Sequence, residues 1–256
     1  MAPIFRHGKG TAVYVNHYNL SDITNDSGLE VSVDKADTTC YGSDDKTYLA
    51  GQVDPVVTYS GIYDSNNSLA SFAVGEGFRK QELILAVLGG TSTGLAHTYG
   101  AEGSARGRRA QLFRGSPEGM KFSAPMNDAV KWESGQYMNS AMAYGEWLVD
   151  PSVATTAAST HTSVDGVRAT TRGGVVHAHL TQYATTGTWT FKVMHSSNNS
   201  AFTDLTTSRS LNAAAATRWY RISTTGLVKR YVKTVVSAVT AASNPRLGVA
   251  YGRNLH

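Results

Sequence analysis

Apolar and polar residues alternate with a period of two along much of the chain, the spacing that sends successive side chains to opposite faces of a β-strand. Residues 11–16 (TAVYVN) follow this rule. So do residues 28–34 (GLEVSVD), which place Leu29, Val31 and Val33 on one face and Glu30, Ser32 and Asp34 on the other. Residues 56–63 (VVTYSGIY), rich in β-branched and aromatic side chains, predict a third strand, and residues 81–88 a fourth. Further strands are expected over 111–113, over 120–124 and within 137–149. One short helix is expected at 67–74. There Ser65, Asn66 and Asn67 can cap its first turn, and Gly75 and Gly77 follow its end.

The second half repeats the alternation without any helix-length pattern between strands. Residues 188–195 (TWTFKVMH) put Trp189, Phe191 and Val193 on one face, and 218–222 and 229–239 behave alike. Turn signals separate them at Gly173-Gly174, 196–200, Thr225-Gly226 and Asn244-Pro245. Strands at this spacing predict an antiparallel sandwich or jelly roll, so the expected fold class is all-β with one short helix. A chain of 256 residues has room for two cores. The clearest boundary is 150–163 (DPSVATTAASTHTS), small and hydroxylated residues after a proline, so the expected organisation is a domain over 1–150, a linker over 151–163 and a domain over 164–256.

Charge sharpens that division. The net charge of +4 would by itself suggest nucleic-acid binding. Residues 1–150, however, carry 12 Lys or Arg against 17 Asp or Glu, whereas residues 151–256 carry 11 against 2. The halves therefore face different partners. The longest apolar run, 83–88 (LILAVL), is far short of the roughly 20 residues that cross a bilayer, and the first ten residues have Arg6 and Lys9 with no apolar stretch after them. Neither a membrane span nor a secretory signal is expected. A single Cys40 excludes an internal disulfide, in keeping with a reducing compartment.

Candidate chemistry is sparse. The P-loop and His-Glu-x-x-His are absent from the sequence. The glycines of residues 100–107 have no strand-to-helix context that would make them a phosphate cradle. His177 and His179 share one strand face and could converge with His195. Without an acidic or cysteine partner they are expected at the surface and not on a metal. Cys40 lacks a base in sequence and is read as a small buried side chain. No catalytic residue, metal or cofactor is expected, and the chain is read as structural and not as an enzyme.

One segment carries more information. Residues 36–64 (ADTTCYGSDDKTYLAGQVDPVVTYSGIYD) contain Thr38 and Thr39, then Tyr41, Gly42, Asp44 and Asp45, then Lys46, Tyr48, Gly51 and Asp54, and finally Gly61, Tyr63 and Asp64. This order resembles the N-terminal part of the major tail-tube proteins of long-tailed bacteriophages (siphophages). Leu49 and Ala50 stand where that family often has Ile-Pro. Residues 193–205 (VMHSSNNSAFTDL) and 246–253 (RLGVAYGR) are similar to a jelly-roll-type module appended to phage virion proteins.

The resemblance implies a subunit that forms rings, expected to be hexameric, stacked into a hollow tube for genome delivery. Its partners would be copies of itself, with tape measure, tail terminator and distal tail proteins, and DNA passing through the lumen without specific binding. Its place would be the virion tail, assembled in the host cytoplasm, with no membrane partner. Tyr41, Gly42, Asp44, Asp45, Lys46, Tyr48, Gly51 and Asp54 then form the candidate inter-subunit or inter-ring loop, whose bland alternative is a solvated turn. Glu30, Ser32 and Asp34 are candidates to face the lumen, where negative charge would repel phosphates; otherwise they are an ordinary wet strand face. Arg106, Arg108 and Arg109, with Arg114 nearby, read as a solvated loop or as charge partners of Asp44 and Asp45 on another subunit. Two other functions share the fold class. One is a carbohydrate-binding or adhesion module stacking sugars on Trp189, Trp219 or Tyr220; the other is a capsid decoration protein or another virion protein.

Overall fold

The computed structural model describes residues 12–15, 18–19, 24–38, 48–63, 83–88, 109–138, 143–151, 153–180, 186–213, 218–241 and 246–254. Among them the chain forms seventeen strands and no helix, so it is an all-β protein. The expected helix at 67–74 and the turn at Asn244-Pro245 lie outside the described residues, as does Cys40. The first strands are β1 (Ala12–Val15), β2 (Tyr18–Asn19), β3 (Thr24–Asp37), β4 (Tyr48–Ile62), β5 (Leu83–Leu88), β6 (Arg109–Ser123), β7 (Lys131–Met138) and β8 (Ala143–Val149). Then come β9 (Ser159–Thr160), β10 (Val164–Asp165), β11 (Gly174–Leu180), β12 (Gly187–Ser196) and β13 (Thr203–Asp204). The last are β14 (Arg209–Asn212), β15 (Trp219–Thr224), β16 (Tyr231–Ala241) and β17 (Leu247–Arg253).

The strands fall into two compact units. The larger comprises Met1–Asp22, Ile84–Arg114 and Ala141–His256; the smaller comprises Ile23–Leu83 and Gly115–Ser140. This division differs from the expected cut at 150–163, which falls inside the larger unit. The reason is strand pairing: β8, from the expected first domain, hydrogen-bonds along β17, from the expected second, with Trp147 opposite Ala250 and Gly145 opposite Gly252.

The larger unit holds two sheets, one running β15-β11-β17-β8-β6-β5-β1-β2 and the other β10-β16-β12-β13 with β14 and β9 beside it. The alternation in residues 188–195 places Trp189, Phe191 and Val193 of β12 at 0% exposure in one core with Val176, Ala178 and Leu180 of β11 and Leu247, Val249 and Tyr251 of β17. Burying a side chain the size of Phe191 or Val193 contributes about 1.5–3 kcal/mol. The Trp189 indole N–H donates to the Thr155 carbonyl at 3.0 Å, so its polar end is also satisfied.

All seven residues of β11 are buried, because its other face is covered too. There Val175 joins Tyr14, Leu112, Ala143, Trp147 and Ala250 in a second core. His177 and His179 lie on that same side, each at 0% exposure, so the surface placement expected for them does not hold. Their rings meet edge to face, 5.8 Å apart, and the His179 ring lies 6.2 Å from that of Tyr14. Both ring nitrogens of His177 are buried without a hydrogen-bond partner, and burial holds the imidazole well below its usual range, reinforced by His179 and Arg221. His195 lies in the other sheet, where its Nδ1 accepts from the Lys229 backbone N–H at 3.3 Å. The three histidines therefore do not converge.

The turn at Gly173 requires glycine. Its φ is 72°, a left-handed value, and a Cβ there would stand 1.9 Å from the Thr224 carbonyl oxygen.

Candidate assembly interface

The smaller unit is a four-stranded antiparallel sheet in the order β3-β4-β7-β6, with β6 contributing its residues from Gly115 onward. β3 has 14 residues and β4 has 15, so each spans roughly 45 Å or more. The expected strands at 111–113 and 120–124 are parts of one strand, β6, which is interrupted by a register shift between Pro117 and Gly119. A proline is tolerated there because, among the described residues, this stretch is an edge that pairs only with β7, and the proline stands at the register shift.

Alternation along β3 decides what each face carries. Asp26, Gly28, Glu30 and Ser32 are exposed on one face. The register continues that face across the sheet: Asp26 lies opposite Ser60, Ser60 opposite Glu133, and Glu133 opposite Lys121. The next row is Gly28, Thr58, Gly135 and Gly119. The other face buries Val57, Tyr59 and Trp132, with the Tyr59 and Trp132 rings in edge-to-face contact at 5.2 Å. The Trp132 indole N–H donates to the Ile62 carbonyl at 3.1 Å.

Two of the three lumen candidates, Glu30 and Ser32, therefore share the exposed polar face. Asp34 has no single partner in the ladder: the register shifts between Val33 and Lys35, where Asp34 stands against both Gly51 and Gln52 and the extra residue of the bulge belongs to β4. The charge on this face is mixed, since Lys121 and Lys131 stand among Asp26, Glu30 and Glu133. Lys131 is engaged by Asp128 at 2.6 Å, and that hydrogen bond, with a second from the Ala129 N–H, holds Asp128 below the usual carboxylate range.

The candidate loop 41–54 is only partly a loop. Tyr48, Gly51 and Asp54 lie within β4, where Tyr48 pairs with Asp37 and Asp54 with Ser32. Tyr41, Gly42, Asp44, Asp45 and Lys46 lie outside the described residues. β7 reaches only as far as Val56, opposite Tyr137. Residues 48–55 and their β3 partners are thus a two-stranded ribbon among the described residues. Such a ribbon is marginal in water on its own.

Both lateral edges of this sheet are also unpaired among the described residues: β3 pairs only with β4, and the 115–123 part of β6 only with β7. At the turn between β6 and β7, Met126 is 96% exposed and Phe122 is 52% exposed, its ring against Tyr63 at 5.2 Å. Arg106 and Arg108 lie outside the described residues. Arg109 opens β6 in the larger unit, opposite Glu146 of β8. Trp189, a candidate sugar platform, is a core residue; Trp219 and Tyr220 are half-buried in β15, and Tyr220 packs on that core.

Among the described residues no group of three or more His, Cys, Asp or Glu is placed to hold a metal ion, and no helix is long and apolar enough to cross a membrane. No family model and no curated protein matches the chain. Among solved structures it is similar to a protein of the native gene transfer agent virion, with 10% identity over 55% of this chain and 98% of the other, at a TM-score of 0.39. It is also similar to the SPP1 tail tube protein, with 9% identity over 56% and 80% of the two chains and a TM-score of 0.42. A third similarity is to the SPP1 Dit hub protein, with 11% identity over 94% and 98% and a TM-score of 0.32.

Proposed function

We propose that the chain is a structural subunit of a bacteriophage tail, the tube subunit itself, and that copies of it close into rings and stack into a conduit for the genome. The observation that carries this reading is the pair of long edges flanking the four-stranded sheet that no described strand covers, β3 on one side and residues 115–123 of β6 on the other. An edge strand of 14 residues is an aggregation hazard unless it is covered. Edge-to-edge pairing of β3 with β6 of the next copy is a head-to-tail contact, and such contacts generate rings when the rotation closes.

Two further features support the reading. The segment that resembles tail-tube proteins, 36–64, includes most of the two-stranded ribbon, which needs a partner to be stable. The exposed face carries glycine, serine, threonine and mixed charge, so it offers phosphates no concentrated cationic surface to hold them. On this reading the partners are further copies of the chain, with other tail proteins at the tube ends, and the place of action is the virion.

Electron microscopy of the purified protein, combined with amide hydrogen exchange, tests it. Rings or tubes are expected, with the amides of β3 and of residues 115–123 protected in the assembled form and exchanging quickly in dissociated subunits. A protein that stays monomeric at high concentration, or assemblies whose β3 amides exchange as fast as those of the monomer, would overturn the proposal.

A further inference from the structure

We propose that a cavity in the larger unit, beneath the turn at residues 165–168, binds an acidic saccharide unit: a sugar ring bearing a carboxylate or a phosphate. The cavity measures about 460 Å³ and lies among β6, β8, β10, β16 and β17. That volume is in the range of pockets for small organic ligands. It is separate from the sheet edges invoked for assembly, so the two proposals stand or fall independently.

Charge identifies the first part of the ligand. Three guanidinium groups line the cavity, those of Arg109, Arg168 and Arg253, against one carboxyl group, Glu146. The nearby Asp165 feels Arg253 but is taken up mainly by a fourth cation. Its two oxygens are engaged by Arg230, at 2.7 and 2.6 Å, and by the Val167 N–H at 2.8 Å. Arg253 is held in place by donating to the Lys229 and Arg230 carbonyls at 3.1 and 2.8 Å, while its Nε is buried without a partner. A pre-positioned guanidinium beside others is a site for carboxylate or phosphate oxygens.

Polarity and shape identify the rest. Oε2 of Glu146 is buried with no hydrogen-bond partner, which calls for a hydroxyl at that point. Val164, Leu148 and Val232 supply an apolar wall suited to the C–H face of a sugar ring. An acid with hydroxyls on a ring satisfies all three demands. A bare anion satisfies only the first.

The rim carries backbone strain. Val167 adopts a φ of 68°, a left-handed value that a β-branched side chain tolerates poorly, while the Arg168 N–H bonds back to the Gly166 carbonyl at 2.8 Å. Strained turns of this kind concentrate at ligand clamps, and this one presents Arg168 to the cavity. Burial pushes Glu146 up to about 7 against the pull of Arg109 and Arg253, with Asp165 pushing the same way as burial. A ligand anion therefore meets an added negative charge as pH rises through neutrality, and its affinity falls.

Calorimetric titration of the full chain with glucuronate, glucose 6-phosphate, glucose and inorganic phosphate, at pH 6 and pH 8, tests the assignment. Both acidic sugars are expected to saturate the protein at millimolar concentration, with glucose and inorganic phosphate each roughly tenfold weaker. Arg109→Ala and Arg168→Ala are each expected to weaken the acidic sugars by roughly tenfold while leaving the thermal melt at pH 6, where Glu146 is largely protonated, unchanged. Binding of glucuronate, whose own charge is constant over this range, should weaken from pH 6 to pH 8 in the native protein and stay level in Glu146→Gln. Inorganic phosphate binding as tightly as the acidic sugars, glucose binding equally well, or either arginine variant binding unchanged would overturn the proposal.

Discussion

Glu146→Gln should remove a pH dependence that a single buried carboxyl imposes on the larger unit. Glu146 sits in β8, where desolvation raises its pKa from 4.5 to about 7, only partly offset by Arg109 and Arg253. The folded state therefore binds this proton more tightly than the unfolded chain does. Stability from the group is fully present below pH 4.5 and is lost as pH rises through about 7. The gap between those two values, at about 1.4 kcal/mol per pKa unit, is worth about 3 kcal/mol. Glutamine keeps the shape and never ionises.

Urea titrations of both proteins, followed by tryptophan fluorescence from pH 4 to pH 8.5, measure the difference in unfolding free energy directly. That difference should move by about 3 kcal/mol in favour of the variant across the range. Other titrating groups act on both proteins alike and drop out. A difference that stays constant with pH would refute the reasoning, because Glu146 would then ionise as freely in the folded protein as in the unfolded chain.

His177 works in the opposite sense: its folded pKa is depressed by burial, so its contribution is present above about pH 6.5 and is lost as pH falls below it. His177→Leu should flatten the acid limb of the stability profile by up to about 1.4 kcal/mol per pH unit, measured by the same urea titrations. Trp189→Ala, which empties a fully buried site and frees the Thr155 carbonyl, should destabilise by about 3–5 kcal/mol in equilibrium unfolding. Gly226→Ala, at a φ of 80° with nothing within 4 Å of the new Cβ, should cost only about 1 kcal/mol in a thermal melt. Gly173→Ala, where the Cβ would meet the Thr224 carbonyl at 1.9 Å, should cost clearly more in the same melt.

The strands with one polar and one apolar face were legible in the residues. TWTFKVMH announced β12 because its odd and even positions meet different environments. β11 (GVVHAHL) gave no such signal, since both of its faces are covered and its histidines look polar to any pattern. β6 read as two fragments because Gly115, Pro117 and Gly119 break the alternation, although the backbone stays extended through them. β7 (KWESGQYM) is poorly marked for a related reason: the buried Ser134 beside Trp132 looks polar to any pattern, and Gly135 interrupts the polar face. The cavity was illegible, since it joins residues 109, 146, 164–168, 232 and 253, which sequence spacing cannot bring together. One hint was available in β8, where AYGEWLV sets a lone acid among aromatic and apolar neighbours.

The position of β17 bears on the order in which the larger unit can form during synthesis. It lies between β8 and β11, with hydrogen bonds to both, yet it is made after every other described strand. Until residues 247–253 leave the ribosome, β8 and β11 each show a bare edge and the shared core lacks Leu247, Val249 and Tyr251. Contacts this distant in sequence close slowly. For that interval the larger unit carries two open edges, which neighbouring nascent chains can occupy. On the proposed assembly, insertion of β17 must come first, which makes this late-synthesised strand a checkpoint between a subunit competent to join its neighbours and one that would pair with them wrongly.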